Sequence, residues 1–148
     1  MSANTIMTPG EVQKAAEELN KQIAANELKI VEQVREWFKT EQQTTYDAIN
    51  QNMANNTAAN IENYTMWVDV KTYTPQELPL LSTMTHSRLY DIIWGESYKQ
   101  CKIIGDFIRA QGHNLTNANT TLHNHWGIRD TTIKCEFTFG LTNQNKMK

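Results

Sequence analysis

Apolar positions in the first third of the chain follow a helical period. Val12, Ala16, Leu19, Ile23, Asn26, Ile30, Val34 and Trp37 advance by steps of three and four, a seam of about 3.5–3.6 residues per turn. Thr8-Pro9-Gly10-Glu11 opens the seam with a Thr N-cap, a Pro at the first helical position and a Glu at the third, each suited to an orphan backbone donor. Neither glycine nor proline interrupts residues 11–74. Helices packed along their length use such seams, and a polar residue within one, here Asn26, fixes register or oligomeric state when it meets its counterpart. The pattern therefore predicts a homo-oligomer joined, in the manner of a coiled coil, through those eight positions.

Past Phe38 the stripe thins to Thr45, Ala48, Ile49 and Met53, and the Asn-rich stretch 50–60 lowers helix propensity. A single helix over 9–62 would be about 80 Å long at 1.5 Å per residue. The sequence leaves two architectures open, one long rod or a helical hairpin with a turn near 50–60.

The period then changes to two. Tyr64, Met66, Val68, Val70 and Thr72 alternate with Thr65, Trp67, Asp69, Lys71 and Tyr73, the mark of a strand with one buried face. Thr74-Pro75-Gln76-Glu77 repeats the capping pattern and predicts a short helix. Leu80, Leu81, Met84, Leu89, Ile92, Ile93 and Trp94 supply an apolar segment stopping near Gly95. A further helix over 96–110 presents Tyr98, Cys101, Ile104, Phe107 and Ile108, and ends at Gly112. Residues 113–130 show no clear period and read as a long loop. In 131–141, Ile133, Cys135, Phe137 and Phe139 alternate with Thr132, Lys134, Glu136 and Thr138, giving a second strand to pair antiparallel with the first. Two strands alone bury no core, so helices or a partner must cover or extend them.

The expected class is α+β, mainly helical: a long N-terminal helix or helical hairpin beside a small domain with an antiparallel strand pair covered by helices. The expected division is a helical oligomerisation region over 1–62, a small α+β domain over 63–141 and a polar tail over 142–148.

Composition adjusts this picture only slightly. Asn, Gln and Thr make up 43 of the 148 residues while charged residues are 20%, so the chain is polar but weakly charged. Four tryptophans spread along it argue against disorder. Net charge is −2 overall, divided as −4 over 1–63 and +2 over 64–148. Neither part holds the dense Lys/Arg patch that duplex nucleic acid requires. No stretch reaches the roughly 18 apolar residues of a membrane-spanning helix, and the first residues lack the basic and apolar regions of a secretory signal. Cys101 and Cys135 fall on an apolar helix face and in an alternating strand, and are expected as buried free thiols. Four Asn-x-Thr triplets, beginning at Asn55, Asn63, Asn114 and Asn119, are attributed to chance in so Asn- and Thr-rich a chain. The expected location is cytoplasmic or within a virion.

Candidate chemistry is sparse. His113, His123 and His125 cluster in sequence, and Asp130 or Cys101 would be needed to complete a metal site, but the spacing matches no known ligand pattern. His86, Ser87, Arg88 and Asp91 form a polar group whose plain reading is capping plus an Arg88–Asp91 pair. No phosphate-binding glycine loop is present, and no cofactor or catalytic residue is expected. Trp37 is assigned to the helix interface, Trp94 to the core, and Trp67 to the far strand face, where exposure would mark a docking surface. The function expected is a non-enzymatic structural or adaptor protein that self-associates through its N-terminal helix, a composition also suited to a viral or phage assembly component. The alternative is a dimeric regulatory or nucleic-acid-binding protein using Lys99, Lys102, Arg109 and Arg129.

Overall fold

The computed structural model describes residues 5–55, 63–78, 84–123 and 130–140. Three helices lie on one face of a three-stranded antiparallel sheet: α1 (Pro9–Thr40), α2 (Gln42–Asn55), β1 (Tyr64–Tyr73), α3 (His86–Ala110), β2 (Leu115–His123) and β3 (Thr131–Phe139). The mainly helical α+β class and the long N-terminal helix expected from the sequence are both present.

The Thr8 cap forms as its sequence predicts. Thr8 Oγ1 accepts from the Glu11 N–H at 3.2 Å, and the Glu11 carboxylate accepts from the Thr8 N–H at 3.3 Å. The helix then runs unbroken to Thr40 and is interrupted at one residue, Glu41. Hydrogen bonds of helical spacing cross that joint, from Glu41 N–H to Trp37 O and from Thr45 N–H to Glu41 O, both 2.9 Å. The chain therefore continues into α2 without reversing at Glu41, and among the described residues no helical hairpin forms.

α3 runs beside this composite helix in the same direction. Arg88 meets Glu27 and Arg35 meets Glu96, both across 61 residues of sequence. Tyr46 stacks on Phe107 at 5.3 Å with the same separation. Thr85 caps α3 through its side chain, and Gly112, at φ 98°, lies just beyond its C-cap.

The expected break at Gly95 does not occur. A mid-helix glycine costs about 1 kcal/mol relative to alanine, and the burial of Leu89, Ile92, Ile93, Cys101, Ile104 and Ile108 along one face outweighs it. The capping pattern at 74–77 yields only a single 3₁₀ turn over Pro75–Glu77, with Glu77 Oε2 accepting from the Thr74 N–H at 2.7 Å. Leu80 and Leu81 lie outside the described residues.

β3 is the central strand, paired antiparallel with β1 on one side and β2 on the other. The β1–β3 pairing is the one the alternation predicts. β2 corrects the long loop that the missing period predicts over 113–130, since residues 115–123 form a strand. Its period is masked by a bulge between Leu115 and Asn117, and its inward positions include the small Ala118 and Thr120. These small residues fit because α3 passes close over β2 at Gly105, where an added Cβ would lie 2.9 Å from Ala118 Cβ.

A second bulge, between Asp69 and Lys71, reverses the end of β1. An extra residue moves everything beyond it to the other face, so Tyr73 is buried and Thr72 exposed, the opposite of strict alternation.

Cys101 and Cys135 are also corrected. They form a disulfide, with Cα atoms 5.9 Å apart, that ties α3 to β3. Both sequence placements, inward on a helix and inward on a strand, were right; what the spacing could not show is that the two inward faces meet. The core contains Ile30, Val34, Trp37, Phe38 and Ile49 from α1 and α2 together with the sheet residues Met66, Val68, Ile133, Phe137 and Phe139. α1 is therefore part of the folded body from Ile30 onward.

Candidate association surface

The eight seam positions divide sharply. Val12 is 53% exposed and Leu19 44%; Ala16 is exposed and Ile23 half-buried. Ile30 and Val34 are 0% exposed, and Trp37 stacks on Tyr73 of β1 at 4.8 Å. Ile30, Val34 and Trp37, expected at an intermolecular interface, are thus occupied by the chain's own core. Asn26 lies at the division. It is half-buried, and its Nδ2 is enclosed without a hydrogen-bond partner.

The separation of 61 residues locates this boundary. α3 starts at His86, level with residue 25 of α1, so residues 9–24 project past it by about 24 Å at 1.5 Å per residue. The base of this arm is held by Arg88. Its guanidinium forks onto Glu27, with Nη2 to Oε2 at 2.9 Å, and so leaves the expected Asp91 partner for a residue on another helix. The Arg88 hydrogen bond holds the Glu27 carboxyl below its ordinary range. About two turns further into the body, Arg35 Nη2 and Gln100 Nε2 reach the buried Glu96 carboxylate at 3.3 and 3.0 Å.

Three of the alternative site residues, Lys99, Lys102 and Arg109, lie on α3 at spacings of three and seven, which share one side of a helix. Lys99 is exposed, and Lys102 sits over the Tyr98 ring at 5.1 Å. Arg109 donates to Leu115 O and Asp106 Oδ1 at 3.0 and 3.1 Å; Arg129 lies outside the described residues. Of the histidines, His113 meets the Phe139 ring edge-on at 6.0 Å and His123 is exposed at the end of β2; His125 lies outside the described residues. Cys101, considered as a metal ligand, is consumed by the disulfide. Among the described residues no three His, Cys, Asp or Glu side chains converge as metal ligands.

Sequence reading missed two further exposed features. Ile103 and Phe107 stand out from α3, 59% and 48% exposed, and a shallow pocket between Phe107, Tyr46, Met53 and His113 follows from α2 crossing that end of α3. The sheet's far face carries Thr65, Asp69, Lys134, Glu136 and Thr138 around Trp67, which is exposed as expected. An Asp69–Lys134 ion pair at 3.0 Å and a Thr65–Thr138 hydrogen bond order that face.

The middle of edge strand β2 is guarded. The Thr120 N–H donates to Asn119 Oδ1, and Thr120 O accepts from the Trp94 indole at 3.0 Å. Neither backbone group is open to an added strand.

Comparison with known proteins finds no matching family model, no matching curated protein and no matching solved structure. Among the described residues no helix is long and apolar enough to cross a membrane.

Proposed function

We propose that the chain is a structural or adaptor component that self-associates through the projecting part of α1. The observation that carries this reading is the apolar seam of 12–23, which continues the stripe buried at Ile30 and Val34 but has no covering element of its own among the described residues. A solitary helix of this length is marginal in water, and burying the same stripe against a second helix supplies the missing stabilisation. The flanking positions Gln13, Ala15, Asn20 and Gln22 are uncharged, while Lys14, Glu17, Glu18 and Lys21 fall on the opposite side, so a like helix meets no charge repulsion along the seam.

The Cys101–Cys135 disulfide supports a location where thiols oxidise, such as a virion or cell exterior, over the reducing cytoplasm. Mass by light scattering across a concentration series tests the self-association. A multimer that dissociates on dilution, and that Leu19→Asp converts to monomer, is expected, with equal melting temperatures for the two chains at a dilution where both are monomeric. A wild-type monomer at every concentration overturns the reading.

A further inference from the structure

The geometry points to an antiparallel arrangement of two arms, each lying along residues 9–26 of the other; this inference rests on the self-association reading above. The occupant of the seam is a second copy of this chain, and its direction follows from what covers the seam beyond the arm.

In a parallel pair, the second copy's α1 would follow the seam past Asn26. From Ile30 onward that face is filled: Ile30 and Val34 are fully enclosed, Trp37 is stacked on Tyr73, and the Glu27–Arg88 and Arg35–Glu96 pairs bind α3 alongside. Because α1 is unbroken to Thr40, the incoming helix has no joint at which to turn away. The two bodies would occupy the same space. An antiparallel pair avoids this, because residues 27–40 of the second copy leave past the free tip of the first arm, and the first residue of its α1, Pro9, lies opposite Asn26, beside the start of α3.

The side chains fit this direction. Antiparallel packing places Val12 opposite Ile23 and Ala16 opposite Leu19, each layer twice about a two-fold axis between Glu17 and Glu18. The small Ala16 faces the larger Leu19, so facing layers interdigitate as close packing requires. A two-fold arrangement is closed, and both copies bury the same patch.

Paired cysteine variants test the direction, with light scattering as the independent measure of association. Val12→Cys and Ile23→Cys change exposed or half-buried arm positions, and the native cysteines are already joined. An equimolar mixture under mild oxidation is expected to give a covalent heterodimer in about half the chains, as random pairing of a two-fold dimer dictates, with little cross-linking of either variant alone. Dimeric mass with Val12→Cys linking to itself overturns the antiparallel arrangement but leaves self-association standing. Trimeric or higher mass also overturns it. Monomeric mass at all concentrations removes both.

Discussion

The two ends of α1 carry the same stripe and meet different fates. Between residues 12 and 23 the apolar side chains face solvent; between 30 and 37 they are among the most enclosed in the molecule. Helical period marks where a helix can bury a face, not which surface buries it. α3 begins level with residue 25, and that offset divides one amphipathic helix into a body segment and an arm.

Removing the disulfide is the strongest test of this contrast, because it acts on the body alone. Closing a loop of 34 residues in sequence is worth about 4 kcal/mol in the chain-entropy account. Replacing Cys101 and Cys135 together by alanine should lower stability by about that amount in urea denaturation. Self-association measured well below the new midpoint should not change.

Truncation within the stripe sharpens the comparison. Ile30→Ala should cost about 3 kcal/mol by leaving a cavity in an enclosed site. Leu19→Ala should change monomer stability by no more than about 0.5 kcal/mol while weakening association. Equal losses of stability from the two would break the distinction between arm and body.

The two mid-helix glycines of α3 should respond with opposite signs. Gly105→Ala places a Cβ 2.9 Å from Ala118 and 3.1 Å from Leu115 Cδ2, and should cost about 1–3 kcal/mol through overpacking. Gly95→Ala meets nothing within 4 Å and should stabilise by about 0.5–1 kcal/mol through helix propensity. Thermal denaturation of both variants measures the difference.

The smallest effect belongs to the base of the arm. Glu27 has its carboxyl pKa lowered chiefly by the Arg88 hydrogen bond, so the stabilisation is present above the ordinary carboxylate pKa and fades as pH falls through the lowered value. The pair lies at the surface, Arg88 being 56% exposed, and should contribute no more than about 1 kcal/mol. Arg88→Ala should flatten this acid limb of the stability–pH curve. Tyr73 acts at the other extreme: burial pushes its phenol up to about 12. The unfolded chain then ionises first, so stability should fall between about pH 10 and pH 12, and Tyr73→Phe should reduce that fall, leaving the part that the raised Tyr64 phenol contributes.

Local chemistry was readable wherever both partners of an interaction lie within one turn or one strand. The Thr8–Glu11 capping box, the helical seam and the inward set of β3 follow from such patterns, and the antiparallel β1–β3 pairing joins the two segments that alternate most regularly. The same reading erred where a distant contact intervened. Residues 115–123 lack a regular apolar period because a bulge and a close helix replace large side chains with Ala118 and Thr120; the β-branched run at 120–121 and the following Leu122 were the available signal.

For the candidate surface, the sequence by itself determined the stripe, its cap and the uncharged positions beside it, since these depend on residues three and four apart. The tertiary structure decided that Ile30, Val34 and Trp37 belong to the core, that Arg88 joins Glu27, and that Cys101 pairs with Cys135. Each of those outcomes is a meeting of elements separated by tens of residues. Inward-facing periods show that such surfaces must be covered, but the partner is chosen only when the helices and the sheet close over one another.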